Sequence, residues 1–454
     1  MLKYMGYAQF EGINCILYQD VDGIRLIPAN PNDKIIKYIG KSDFIFTYKQ
    51  SIYDSVFLID KVEMCFDNSI KLIPKYNLIL NRNSQIYGFE MYGGAIDDFF
   101  NPVSYFFTKA KNGETINDIL YHKENVDVWK IKSESNDITV SLYYGNVLSN
   151  GIGSDMMIHP KLNVRFSHAE SNTEFIYKIY SIIIRFLQII RFDLCYGRCA
   201  VELTDQLGHF CGRFYDFHQY NSEYTEQLTE NNYQYYKKHI GPLLQFAADN
   251  PSLPIAYFPK NTIRSGENDY TPEDLVAIFG AFEAEYDLLK DTYGKANNLQ
   301  IKTIKSKLIA NLDVCSKDAI TDEEKSFLET AKSKILNIGN ELGQTKKLQK
   351  VFDVLLPALQ SSIGNILFYF DDGTIEKIIS GDISMIAADL CAMRGKAAHG
   401  HYFNKLTKKQ AQEIRFLEIL AYSQLLKRAQ LNNKEIEMII GIIFRCNYKY
   451  QEIL

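Results

Sequence analysis

The sequence predicts an α+β protein: an antiparallel β-rich N-terminal domain, sandwich- or barrel-like with one helix packed on it, then an all-α helical bundle. Three observations predict this. Apolar residues alternate with a period of two through the first half, and recur every three to four residues beyond 271. A polar, proline-containing stretch separates the two patterns. At 454 residues the chain exceeds the usual reach of one core, so two domains are expected, 1–220 and 266–454, joined by a connector over 221–265.

In the first half, SVFLIDKVEMCF (55–66), DVWKIKS (127–133), DITVSLYY (137–144) and KLNVRFSH (161–168) read as strands divided by Asn, Asp and Gly turns. An amphipathic helix is expected at about 173–190. After it, RCAVELTDQLGHFCGRFYDF (198–217) reads as a hairpin turning at Asp205–Gly208. NNYQYYKKHIG (231–241) mixes aromatics and lysines as base-stacking surfaces do, but is better read as a polar connector helix with a few tyrosines against the core.

The second half opens with a helix start at Thr271-Pro272-Glu273-Asp274, followed by a seam of Leu275, Phe279, Phe282, Tyr286 and Leu289. Capping boxes recur at Thr321 with Glu324 and at Thr407 with Gln410. Leu348, Phe352, Leu355 and Leu356 mark a helix that Pro357 kinks or ends. Ile383, Ile386, Ala387, Leu390 and Met393 line another. Short connections between such helices imply antiparallel neighbours.

Composition narrows the class. Hydrophobic residues at 46% and charged residues at 23% exclude a disordered or fibrous chain. MLKYMGYAQFEG has no apolar run after a basic start, and IYSIIIRFLQII (179–190) and MIIGIIF (438–444) fall short of a membrane span. With eight scattered cysteines, a cytoplasmic protein with reduced thiols and no membrane partner is expected. Residues 391–454 hold eleven Lys and Arg against five Glu, a net +6 in a chain of net −5. A basic tail on an acidic body points to an anionic partner, or to solvated helix faces.

Within that tail lies CAMRGKAAHGHYF (391–403), which places Arg394 five positions before His399 (R-x4-H) and seven before His401 (R-x6-H). Small residues on either side let a backbone or ligand approach. On one regular helix, residues five apart point about 140° away from each other, so a composite site across a two-fold axis is the favoured geometry. Histidine moves protons near neutral pH, and arginine binds phosphate bidentately and steadies its growing charge. With RNA, the neighbouring 2′-hydroxyl is a built-in nucleophile. Together they suffice for metal-independent transesterification, leaving a 2′,3′-cyclic phosphate and a 5′-hydroxyl, with no cofactor. RGKAAHGH also reads as an ordinary helix C-terminus, where basic residues favour the dipole and Gly400 caps.

A late helical domain with R-x4-6-H after an apolar helix resembles the HEPN superfamily of ribonucleases, over roughly 270–430. The segment ending in AHG, the acidic residues beside the aromatic seam of the opening helix and the β-rich first half look most like ApeA-type anti-phage proteins. The resemblance implies a homodimer or higher homo-oligomer formed through the helical domain. It also implies RNA cleavage during infection, set off by a phage-derived trigger. Arg394 and His399 are the catalytic residues it implies, with His401 as the auxiliary histidine. Family members often place Asn, Asp or His directly after the arginine; here Gly395 stands there, so Lys396 or His401 substitutes, or activity is reduced. A non-catalytic HEPN-like sensor and the toxin of a toxin–antitoxin pair are the alternatives.

Glu283 and Glu285 flank the first helical seam, and Glu283 is a candidate for orienting a catalytic residue. Lys405, Lys408 and Lys409 are candidate RNA-phosphate contacts or an exposed face. Arg213 and His218 repeat the R-x4-H spacing inside a strand, where sheet packing accounts for them. Cys195, Cys199, His209 and Cys211 carry zinc-binding chemistry, but in no established spacing; buried free thiols are the alternative. GNVLSNGIGSD (145–155) is a loop, and Gly40-Lys41-Ser42 lacks the glycine at position 35 that a phosphate loop requires.

Overall fold

The computed structural model describes residues 4–20, 23–49, 53–65, 68–81, 84–101, 111, 125–133, 136–147, 157–170, 173–192, 197, 199–217, 233, 236–253, 270–293, 299–318, 321–337, 343–399, 406–444 and 446. The chain divides into two compact units, Met1–Leu253 and Pro254–Leu454. Strands dominate the first and helices the second.

The described strands of the first unit are β1 (Tyr4–Phe10), β2 (Ile13–Asp20), β3 (Gly23–Pro28), β4 (Ser42–Lys49), β5 (Tyr53–Met64), β6 (Ile70–Asn81), β7 (Ile86–Tyr92), β8 (Asp127–Ser133), β9 (Asn136–Val147), β10 (Met157–Glu170), β11 (Ala200–Thr204) and β12 (Phe210–Asp216). They form one continuous hydrogen-bonded antiparallel sheet, in the order β1-β2-β3-β6-β12-β11-β7-β10-β9-β8, with β4 and β5 joined through β6. The long strand β6 makes this possible. Its start pairs with β3 (Leu72 opposite Ile24) and its end with β12 (Leu78 opposite Phe214), while β5 follows its other edge throughout. Alternation along β3, β5 and β6 turns Ile24, Leu26, Phe57, Ile59, Ile70 and Leu72 into a core shared with Phe10, Leu17 and Phe46.

The first helices are α1 (Ala95–Phe99), α2 (Thr173–Arg191) and α3 (Ile240–Asp249). On α2 the expected apolar face is buried through Ile176, Ile179, Ile183, Phe186, Leu187 and Ile190. Tyr180 anchors it to the sheet, donating to Asp216 Oδ2 at 2.8 Å with its ring 4.7 Å from that of Phe214. The 198–217 hairpin turns as expected: Asp205 Oδ1 accepts from the backbone N–H of Leu207 and of His209, and Gly208 takes φ +84°. Helix α3, which falls inside the expected connector, belongs to the first unit. Gln245 bridges both backbone groups of Lys132 on β8, and Arg185 on α2 donates to the Ala247 carbonyl. Residues 221–232 and 254–265 of that connector, and part of NNYQYYKKHIG, lie outside the described residues.

The second unit contains α4 (Pro272–Leu289), α5 (Leu299–Asp318), α6 (Asp322–Asn337), α7 (Gln344–Leu359), α8 (Ile363–Ile366), α9 (Asp372–Ile379), α10 (Ser384–Ala398), α11 (Lys408–Arg428) and α12 (Asn433–Phe444). The capping boxes at Thr271 and Thr407 are formed, and Thr321 exchanges hydrogen bonds with Glu324. Pro357 sits in the last turn of α7 rather than stopping it at once. Helix α11 is enclosed almost all round, burying every residue from Ala411 to Leu426 except Arg415. Its neighbours are α4, α7, α8, α10 and α12.

That enclosure puts polar side chains inside, and each needs a partner. Glu285 of α4 is fully buried and is held by Arg428 of α11 through two bonds of 2.7 and 2.8 Å. Tyr270 donates to Glu418 at 3.1 Å, and Tyr293 to Gln424 at 3.0 Å. Burial raises the Glu285 carboxyl above its ordinary range, and Arg428 opposes the rise. Among the described residues no helix is long and apolar enough to cross a membrane. The two apolar runs are accounted for by α2 and by α12, whose Ile436, Ile439, Ile440 and Phe444 are buried.

Candidate functional site

Helix α10 buries Ile386, Ala387, Leu390 and Met393 along one side. Arg394, one position past Met393, therefore leaves the helix on the flank of that buried stripe, which directs it toward α4. Its side chain is 34% exposed, and Nη2 donates to Glu283 Oε2 at 3.1 Å. The guanidinium lies 5.3 Å from the ring centroid of Phe279, one turn before Glu283. The other carboxylate oxygen of Glu283 accepts from Gln344 Nε2 at the first turn of α7. Three helices thus fix one arginine.

His399 forms the C-cap of α10, its backbone N–H donating to the Lys396 carbonyl at 3.2 Å, and its side chain is exposed. Among the described residues no hydrogen bond or ion pair joins it to Arg394, in keeping with the helical phase of residues five apart. Lys396 is exposed. At Gly395 an added Cβ would meet none of the described residues within 4 Å. His401 and Lys405 lie outside the described residues, as does Gly400.

Lys408 and Lys409 open α11. Their ammonium groups lie 5.1 Å from the Tyr369 ring and 4.5 Å from the Phe370 ring. Cations at a helix N-terminus oppose the dipole, and the aromatic faces offset part of that cost. One turn on, Glu413 is 1% exposed, and its carboxyl is raised to about 7 by burial first and then by Asp389 of α10, with Lys409 opposing. It is sealed from any substrate.

The two glutamates singled out together on α4 have separate fates. Glu283 meets Arg394, whereas Glu285 turns inward to Arg428. Gln344 and Phe279 complete the cradle and were not read as site residues. The i, i+4 spacing of Phe279 and Glu283 on one face was the available signal; nothing local marks Gln344.

The described members of the zinc set, Cys199, His209 and Cys211, are not gathered at one place. Among the described residues no group of three or more His, Cys, Asp or Glu side chains is placed to hold a metal. His209 sits at the hairpin tip with 73% of its side chain exposed, Cys199 Sγ donates to the Gly93 carbonyl at 3.4 Å, and Cys195 lies outside the described residues. Burial pushes the Cys199 thiol up to about 12 and Cys211 up to about 11, as for packed free thiols. In the second R-x4-H copy, Arg213 pairs with Glu202 on the neighbouring strand at 3.6 Å and lies 5.5 Å from the Phe210 ring centroid; His218 lies outside the described residues. Comparison of the chain with protein-family models, curated proteins and solved structures finds no match.

Proposed function

We propose that the helical unit is a HEPN-type bundle and that the protein is a metal-independent endoribonuclease of anti-phage defence, acting as a homodimer. One observation carries this reading: an accessible arginine is held by the Phe279 ring and by Glu283, itself fixed by Gln344, near the same helix end as an exposed histidine. Such preorganisation is what charge stabilisation in a transition state requires.

In this scheme Glu283 takes one N–H of Arg394, and the remaining guanidinium donors bind the non-bridging oxygens of the scissile phosphate. His399 removes the proton from the 2′-hydroxyl or delivers one to the departing 5′-oxygen. The partner subunit supplies the second histidine. Lys408 and Lys409 meet flanking phosphates. The resemblance to ApeA-type proteins supplies the setting, cleavage of RNA during infection. Incubating the purified protein with total RNA and mapping the new ends tests the reading; 2′,3′-cyclic phosphates and 5′-hydroxyls are expected, and intact RNA sinks it.

A second reading, a non-catalytic sensor, is favoured by the same contact. A guanidinium already paired with a carboxylate beside Gly395 has lost part of its charge for phosphate. It predicts RNA or protein binding without cleavage.

A further inference from the structure

In the antiparallel pair α5 and α6, sequence pattern and surroundings disagree. Within these two helices, no residue with a described side chain is buried; all are exposed or half-buried. Helices of this length owe most of their stability to burying an apolar face, so a pair without one is incomplete.

The unpaired face has a definite spacing. Ile301, Ile304, Leu308, Asn311 and Cys315 alternate by three and four residues along α5, the a/d pattern of a coiled-coil seam. Ile304 is 57% and Leu308 44% exposed, and Asn311 and Cys315 are exposed as well. The half-buried residues of α5 form another stripe, Lys305, Ile309, Leu312, Asp313 and Ser316, of which Asp313 pairs with Lys332 of α6. The exposed seam therefore lies about 100° around the helix from the half-buried stripe.

Charge indicates what covers it. The base of the hairpin, Leu299–Leu312 with Thr330–Asn337, holds five lysines and no acid; the tip, Asp313–Glu329, holds six acids and two lysines. Two hairpins side by side in the same direction would set like against like. Reversed about a two-fold axis, the acidic tip of each lies along the basic base of the other. The seam is self-complementary in the same sense, because antiparallel seams pair a positions with d positions. Ile304 then faces Cys315 of the partner subunit, and Leu308 faces Asn311 of the partner subunit. A single polar residue in such a seam selects register at some cost in stability.

We infer that α5 and α6 are a self-association surface, and that its occupant is the same hairpin of a second copy, running antiparallel. The inference uses no residue of the Arg394 site and stands whether or not the protein cuts RNA.

The test uses the full chain. Sedimentation velocity should show a dimer at micromolar concentration, and Leu308→Glu should raise its Kd by at least about tenfold, because a buried seam position then carries an unpaired charge. Ile304→Cys supplies the register. Within one helix, positions 304 and 315 are about 16 Å apart along the axis, too far for a disulfide. Mild oxidation should therefore give a covalent dimer through native Cys315 of the other copy, and adding Cys315→Ser should abolish it. A monomeric wild-type chain, a dimer indifferent to Leu308→Glu, or a cross-link that survives Cys315→Ser would each overturn the inference. Circular dichroism of the variants separates loss of pairing from loss of fold.

Discussion

Glu283 accepts a hydrogen bond from Arg394 at 3.1 Å across 111 positions of sequence, and Gln344 holds the same carboxylate from a third helix. The contact admits two meanings that differ in sign. If Glu283 positions the arginine, Glu283→Ala should lower kcat for RNA cleavage by roughly 10- to 100-fold, with KM little changed and Glu283→Gln restoring much of the rate. Faster cleavage by Glu283→Ala would mean that the carboxylate restrains the arginine.

Arg394→Ala and His399→Ala should each abolish cleavage and any toxicity on overexpression while leaving the oligomeric state unchanged. Neither side chain is buried, so the fold loses little. Activity should persist in EDTA. Cleavage retained by both variants would falsify the site.

Arg213→Ala should leave the cleavage rate within about twofold of wild type. Its ion pair with Glu202 on the sheet, between side chains 55% and 26% exposed, contributes about 1 kcal/mol or less. A selective loss of kcat there would transfer the chemistry to the first unit.

Glu285 and Arg428 form the buried pair of the helical unit. Glu285→Ala removes the carboxylate that holds a cation whose side chain is only 12% exposed and should destabilise that unit by about 3 kcal/mol, read from urea unfolding at 222 nm. Replacing both by leucine and methionine should cost much less, because no charge is then left alone.

Glu413 sets a pH dependence. Its carboxyl is raised to about 7 in the folded chain, above the unfolded value near 4.3, so the folded state binds the extra proton between those limits. The neutral acid's contribution is complete below about pH 4 and is lost as pH rises through 7. Glu413→Gln should therefore raise Tm by roughly 3–6 °C at pH 8 and change it little at pH 4. An equal effect at both values would contradict the assignment.

Local rules were legible because their partners are close in sequence. The caps at Thr271, Thr321 and Thr407 each join residues three apart, and the Asp205 turn closes over four. Alternation marked β5, β8, β9 and β10, and the 3.6-residue period marked α2 and α4. The route of β6, paired with β3 at one end and β12 at the other, was not legible, since register between distant strands depends on which faces find a core. Nor was the assignment of α3 to the first unit, which depends on Gln245 reaching Lys132.

By itself, the sequence determined where several helices and strands lie, which of their faces are apolar, and that Arg394 and His399 stand close along the chain. Only the tertiary structure decided that Glu283 meets Arg394 while Glu285 turns to Arg428, and that Cys199, His209 and Cys211 do not converge. The physical reason is range. Backbone hydrogen bonding and side-chain periodicity act within a turn or two, whereas charge pairing and coordination depend on how separate elements are packed.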